Sequence, residues 1–412
     1  MPIQNLPGFR DFYPDDLAVR NRICSVWRDV ARRYGFREYD GPPLEPLELF
    51  TKKSGDEIVG QLYNFLDRGE RAIALRPEMT PTLARMVGAK EREFKKPIKW
   101  FSIPQLFRYE RQQKGRLREH FQFNADIIGE ADPGADAELL ALAIDALRGL
   151  GLANEDFVAR LSSRNAWREF FQRHCKDDSK EYEFYQAIDK LERLGAAETG
   201  KKLSSIGVKI EEVVAFIEAR RPTEELQAVL DNLQARGLSA YVQIDYNIVR
   251  GLAYYTGPVF EVFDRKGEFR AIAGGGRYDN LIKLVTDGAV NLPALGFGMG
   301  DVVLTELLRE RGKLPKAKAQ LDAYVIIVSE ELRGEAIRIV HSLRERGFAV
   351  DYPLTAQKVG KQFQAASTLG SRFAVVFGPD EWKRGECKVK DLATGKEQIV
   401  STASLPETLG HA

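Results

Sequence analysis

Residues 16–35 read DLAVRNRICSVWRDVARRYG, and the apolar positions Val19, Ile23, Trp27, Val30 and Ala31 recur at helical spacing. The spacing predicts an amphipathic helix closed by Gly35, with Cys24 packed beside the apolar face. Strand-like pieces follow at 61–66 and 71–76, then a helix over 80–90 and a strand over 98–111. That strand turns back through FRYERQQKGRLREHFQFNADIIG (107–129). From 163 to 237 the texture is helical and charged, and β-rich sequence resumes after it, so this stretch reads as an inserted helical subdomain. YVQIDYNIV (241–249) and TGPVFEVFD (256–264) alternate with period two, which predicts half-buried antiparallel strands. A linker rich in lysine and proline, RGKLPKAKAQ (311–320), precedes LDAYVIIVS, GEAIRIVHSLRERG, FAVDY, KVGKQFQAASTLG and RFAVVFG. Their alternation predicts a small α/β domain with a mostly parallel sheet. The expected organisation is a discontinuous domain of 1–162 and 238–312, an insertion of 163–237, a linker of 313–320 and a C-terminal domain of 321–412.

Composition narrows the function classes. The 412 residues suffice for two or three domains, and 44% apolar with 29% charged residues describes an ordinary globular chain. A net charge of +1 gives no global pull toward nucleic acid, so any such binding requires a local patch. Cys24, Cys175 and Cys387 have no paired spacing, and none of the four histidines joins them in a ligand pattern. A reducing compartment and no protein metal site are expected. MPIQNLPGFRDFYPDD lacks an apolar leader core and no apolar run has the length of a membrane span, which implies a cytoplasmic location.

The hairpin at 107–129 gathers Arg108, Arg111, Lys114, Arg116 and Arg118 around Gln112, Gln113 and Gly115. Such a cluster is either a solvated turn or a clamp for a long anion, such as a nucleotide triphosphate or an RNA end. On one strand Arg108 and Glu110 share a face; on the other Gln122, Asn124 and Asp126 do. Unpaired buried polar groups cost about 1–3 kcal/mol each, so that face is either open to water or occupied by a polar ligand. RPEMT (76–80) sets Glu78 and Thr80 at a helix start, where a capping device is the ordinary reading. VRGLAYYTG (249–257) places Arg250, Tyr254 and Tyr255 between strands, and AIAGGGRYDNLI (271–282) sets three glycines before Arg277. Triple glycine is usually a flexible turn, but it also lets backbone approach a ligand. GFGMGDVVLTELL (296–308) has GxGxG spacing without a parallel βαβ setting or an acidic ribose partner, so it is not a dinucleotide fingerprint.

Taken together these motifs resemble the histidyl-tRNA synthetases, members of the class II aminoacyl-tRNA synthetases, over nearly the full chain. PGFRDFYP resembles the family's N-terminal signature, FRYERQQKGRLREHFQF its motif 2, and RGLAYYTG and AGGGRYDNL two motifs peculiar within the class to histidine-specific enzymes. The tail from KVGKQF onward resembles its anticodon-binding domain. The resemblance implies an α+β class II core, an antiparallel sheet flanked by helices, with the helical insertion and an α/β anticodon-binding domain. It implies ATP-dependent activation of histidine and transfer to tRNA(His), Mg²⁺ accompanying ATP, and a homodimer to which residues 16–50 contribute. By the same resemblance Arg108 and Arg250 hold the carboxylate and α-phosphate, Glu110 faces the adenine amino group and Arg116 the outer phosphates. Glu78, Thr80 and Gln122 receive the ammonium group, Asp126 and Tyr255 bracket the imidazole with Tyr254 in the same pocket, and Gln113 and Arg118 meet the tRNA end.

The chain departs from the family pattern at three places. Asp126 stands where the family more often has Glu, and Ala253 where it usually has Asp. Val302 and Val303 replace the Glu-Arg pair whose arginine contacts ATP. Either an arginine from elsewhere or heavier reliance on Mg²⁺ bridging the phosphates must then cover that side of ATP; Arg277 is one candidate, with a structural ion pair as its alternative use. A non-catalytic paralogue, such as a regulatory subunit of ATP phosphoribosyltransferase, is the competing reading. It needs neither the C-terminal domain nor the basic hairpin, and both are present.

Overall fold

The computed structural model describes residues 3–54, 56–109, 115–249, 255–314 and 321–410. They divide into two compact units, Met1–Pro315 and Lys316–Ala412.

The first unit is organised by one mixed sheet. Its strands are β1 (Arg37–Glu38), β2 (Ile98–Ser102), β3 (Gln105–Phe107), β4 (Glu119–Ile128), β5 (Phe157–Ser163), β6 (Val242–Ile244), β7 (Pro258–Asp264), β8 (Ala273–Arg277) and β9 (Ala294–Gly300). The order is β1-β2-β4-β9-β8-β7-β5-β6, with β3 also pairing β4, and all neighbours are antiparallel except β1–β2 and β5–β6. The strand expected over 98–111 is interrupted at Pro104, which has no N–H for the ladder. The register does not slip: Ser102 lies opposite Asn124 and Gln105 opposite Phe121, while the Gln122 amide donates to the Pro104 carbonyl at 3.1 Å.

Period two splits this sheet into two faces. Phe123, Ala125, Ile127, Phe297, Met299, Phe260 and Val262 form the apolar one, all buried. Helix α1 (Pro14–Arg33) lays Ile23, Trp27, Val30 and Ala31 against it, with the Trp27 and Phe123 rings stacked 5.7 Å apart. Its end is closed as the sequence predicts, Gly35 adopting φ +76. Helix α2 is Thr80–Ala89. Helix α3 (Pro133–Arg148), capped by the Asp132 carboxylate, is buried along most of its length, which accounts for its near-continuous run of Ala and Leu. Helix α4 (Asp301–Glu310) follows β9 directly.

Two expectations change. Only Val242–Ile244 of the 241–249 stretch is strand, and it runs parallel to β5. The chain reaches it from β5 through the helical insertion, the crossover that a parallel pair needs. Beyond it the Asp245 carboxylate accepts from the Asn247 amide, and Tyr246, Ile248 and Val249 bury their side chains from a turn. The triple glycine is no turn: Gly274, Gly275 and Gly276 lie inside β8. A Cβ on Gly275 would strike the Gly296 carbonyl and Phe297 of the next strand. The insertion packs onto the sheet. Its helices between Arg164 and Ala235 share one apolar cluster with the sheet, joined where Trp167 Nε1 donates to the Tyr246 carbonyl at 3.0 Å.

The second unit carries a five-stranded sheet in the order Val350–Asp351, Leu321–Ile327, Ser371–Phe377, Glu386–Asp391, Glu397–Ser401. Four of its strands run in one direction and Glu386–Asp391 opposes them, so the sheet is mixed but mostly parallel. The buried amide of Gln362 joins the helix Val359–Thr368 to this sheet by bonding both the N–H and the carbonyl of Ile327, at 2.8 and 2.9 Å. No helix among the described residues is long and apolar enough to cross a membrane.

At the end of β8 the buried Arg277 guanidinium is pinned under α3. Nε donates to Asp136 at 2.9 Å, and the two terminal nitrogens donate to the carbonyls of Glu130 and Asp132 at 3.0 and 2.8 Å. Removing one partner of such a pair strands the other in the interior. Arg277→Met should therefore lower the unfolding free energy by about 3–5 kcal/mol in urea denaturation, and adding Asp136→Leu should recover much of the loss.

Candidate active site

The opposite face of the sheet is polar and hollow. Register places Gly300 opposite Gln122, Gly298 opposite Asn124 and Gly296 opposite Asp126, with Gly274 beside Gly298 and Gly276 beside Gly296. A Cβ on Gly296 would collide with the Asp126 carboxylate, and one on Gly298 with the Gln122 amide. The GxGxG spacing thus clears every second position of β9, and a cavity of about 650 Å³ opens above it.

Glu78 and Thr80 line this cavity at the start of α2. The capping reading of RPEMT does not hold: Met79 occupies the N-cap position and no side chain caps the helix. The segment is fixed instead by the buried Arg76, which donates to Asp40 at 2.8 Å and to the carbonyls of Gly41 and Gln105 at 2.7 and 3.1 Å. Arg108 also lines the cavity, its Nε donating to the Pro77 carbonyl at 3.0 Å. Arg116 lies beside it; burial, then the guanidinium groups of Arg270 and Arg108, hold its pKa below the ordinary arginine value. Gln122 and Tyr255 complete the set of sequence-predicted residues on the wall. Arg118 is not on the wall; its guanidinium lies over the Tyr109 ring, 4.4 Å from the centroid. Glu110, Gln113, Arg250 and Tyr254 lie outside the described residues.

Asp126 sits just under the floor, 3% exposed, and accepts from the hydroxyl of Tyr278, which does line the cavity. Burial pushes this carboxyl up to about 7, with the tyrosine bond pulling the other way. Gln122 is held from both sides. Its amide donates to Asn124 at 2.7 Å, and its carbonyl oxygen lies 3.2 Å from Nε2 of His120. Burial and the neighbouring Arg108 push His120 down to about 4, so its ring is neutral and Nε2–H serves as the donor to Gln122. The amide oxygen keeps a second lone pair with which to accept a further donor.

A strut made by the N-terminal signature crosses one end of the site. Arg10 binds Glu119 at 2.6 Å and Asp301 at 2.9 Å, and Asp301 accepts in turn from the Phe121 amide at 2.9 Å. The start of β4 and the start of α4 are thereby locked together. Above them Val302 and Val303 line the cavity and offer it no polar group from their side chains. Arg277, the candidate to replace the missing cation there, is committed to Asp136 and two carbonyls and does not line the cavity. The structural alternative is the one realised.

Sequence reasoning assigned no part to Tyr278, Glu261, Arg270 or Asp189, all cavity residues. Tyr278 had a usable signal: it continues the parity of Gly274 and Gly276, so it falls on their face. Asp189 comes from the helical insertion and Arg270 from the loop before β8, where no periodicity applies.

Comparison with known proteins agrees with this architecture. The sequence model of the family described as histidyl-tRNA synthetase matches residues 8–301, and that of the anticodon binding domain matches 322–411. A histidine–tRNA ligase of Opitutus terrae is 47% identical, covering 96% of this chain and 95% of its own. A chloroplastic/mitochondrial histidine–tRNA ligase of Arabidopsis thaliana is 38% identical over 97% of this chain and 85% of its own. The crystal structure of histidyl-tRNA synthetase from Nostoc superposes with a TM-score of 0.84 at 25% identity, covering 99% of both chains.

Asp126 gives the site a measurable pH signature. It titrates near 7 in the folded chain against 3.8 for an ordinary aspartate. Between these values the unfolded chain has released a proton that the folded chain retains, so this group's contribution to stability falls as pH rises. Asp126→Asn abolishes the effect. Its unfolding free energy relative to the unaltered chain should rise from about pH 4 to about pH 7, by the order of a few kcal/mol. Parallel pH profiles in urea denaturation would mean that Asp126 is already ionised.

Proposed function

Because this chain belongs to the histidyl-tRNA synthetase family, we propose that it joins histidine to ATP, releasing pyrophosphate, and passes the histidyl group to the 3′ end of tRNA(His). One observation carries this reading: guanidinium groups and a glycine-cleared polar floor line a single cavity. In the first step a carboxylate oxygen attacks the α-phosphorus, the bond to the bridging oxygen breaks and pyrophosphate departs. Two anions must approach while charge builds on phosphorus, so cations fixed in advance supply most of the assistance.

Arg108 takes one side of the reacting groups and Arg250 the other, while Glu110 faces the adenine amino group and Arg116 the outer phosphates. Glu78, Thr80 and Gln122 accept the substrate ammonium group. The neutral imidazole has one donor and one acceptor nitrogen. Asp126, oriented by Tyr278, accepts from the donor; the Tyr255 hydroxyl donates to the other nitrogen, with Tyr254 in the same pocket. A ligand lacking either group leaves a buried partner unpaired, which is the source of selectivity. ATP enters as its Mg²⁺ complex, the metal travelling with the phosphates. Among the described residues no group of three acidic, histidine or cysteine side chains could hold a metal by itself. Gln113 and Arg118 meet the tRNA end from the hairpin, and the C-terminal unit reads the anticodon. The active chain is a homodimer built in part from residues 16–50; Leu44 there is an exposed apolar side chain, as are Phe65 and Leu66 of the same small sheet.

Pyrophosphate exchange into ATP, run with each amino acid in turn, tests the reading. Histidine alone should support exchange, whereas a regulatory paralogue would support none. Deleting the unit Lys316–Ala412 should spare that exchange and strongly reduce aminoacylation of tRNA. Normal charging by the truncated chain would exclude anticodon reading by this unit.

Tyr255→Phe isolates the specificity contact. Losing one hydroxyl partner should weaken histidine binding by about 1–3 kcal/mol and leave the KM for ATP unchanged. An unaltered histidine KM would remove Tyr255 from the pocket.

A further inference from the structure

Arg270 stands where the main cavity meets a smaller one of about 330 Å³, and it lines both. Gly115 and Val303 share this position at the junction. A Cβ placed on Gly115 would lie 3.3 Å from Val303 and 3.9 Å from the Arg270 side chain. Arg270 therefore reaches from the loop before β8 to the foot of the arginine hairpin and the first turn of α4. That turn is the wall on which Val302 and Val303 present only methyl groups to the cavity. Arg270 is exposed to solvent, as the outer end of a nucleotide site requires.

Charge sharpens the placement. Arg108, Arg116 and Arg270 converge on one cavity, and of the two neighbours Arg270 bears more strongly on Arg116. Like charges gathered this way raise one another's energy, and an anion of several charges relieves it. The smaller cavity also carries Glu268 and Glu306.

We infer that Arg270 is the third guanidinium of a triphosphate site, contacting the outer phosphates of ATP from the wall where α4 supplies no cation. The inference rests on the proposed adenylation reaction and extends it to a residue that acts in place of Val303. Arg270 holds the β- and γ-phosphates rather than the reacting α-phosphorus, so its effect falls on nucleotides that possess them. AMP, which lacks both, does not use it.

The test compares the full-length chain with Arg270→Ala and Arg270→Lys in histidine-dependent pyrophosphate exchange, with AMP as competitor. Arg270→Ala should raise the KM for ATP about tenfold or more, since a charge-assisted contact is lost. The KM for histidine and the inhibition constant for AMP should stay within about twofold, and Arg270→Lys should fall between. Calorimetric titrations with ATP and with AMP read the same contrast without turnover. If the unaltered chain shows no histidine-dependent exchange, the functional reading fails, and the ATP–AMP contrast still decides Arg270. An unchanged ATP affinity with a lowered thermal midpoint would overturn the inference and assign Arg270 to an ion pair with Glu268 or Glu306. Equal losses for ATP and AMP would overturn it too, because the contact would then not lie on the outer phosphates.

Discussion

The alternation of side chains along β4, β9 and β8 is the constraint on which the rest of this molecule depends. One parity of positions must satisfy packing against α1 and α3, and it does so with Phe123, Phe297 and Met299 at essentially no exposure. The other parity is thereby released from the core and can be given to ligand chemistry. In β9 it is given to glycine, because Asp126 and Gln122 of the facing strand occupy the space that any Cβ would need. A one-residue slip between these strands would drive Phe297 into the cavity and glycine into the core. The apolar face therefore sets the register, and the register builds the site.

The charged groups divide along the same lines. Arg277, Arg10 and Arg76 are spent on structure, each bonded to a carboxylate and two of them also to backbone carbonyls. Arg108, Arg116 and Arg270 remain on the cavity wall. Sequence distance does not separate the two sets, since Arg270 and Arg277 are seven positions apart and serve opposite purposes. What separates them is location: Arg277 ends a buried strand beneath the capped start of α3, and Arg270 sits on a loop at the cavity mouth.

Much of this was legible in the sequence because it rests on period. The helix α1, the polar face of Gln122, Asn124 and Asp126 and the alternation of the second unit follow from spacings of 3.6 or 2. The illegible parts had other causes. Pro104 broke a strand without shifting its register, and the turn at Asp245 kept the apolar pattern of a strand while burying those side chains from an irregular backbone. The triple glycine admitted a turn or a close approach, and only the neighbouring strand decides between them. Asp189 and Arg270 reach the cavity through tertiary folding of an insertion and a loop, which no local pattern records. The family resemblance supplied roles for the wall residues, and it pointed to the empty place at Val303 without saying what fills it.

The bond from Arg10 to Asp301 spans 291 positions. During synthesis the arginine leaves the ribosome long before its partner exists, and the strand that carries Glu119 also precedes Asp301. Until α4 arrives Arg10 has only half of its clamp, the bond to Glu119. The order of assembly is therefore written into the site: the segment made early is tied down by the helix that ends the catalytic unit. A nascent chain halted before β9 holds the arginine hairpin but lacks both the glycine floor and the far anchor of the strut. The cavity is in this way completed only once β9 and the start of α4 have been made.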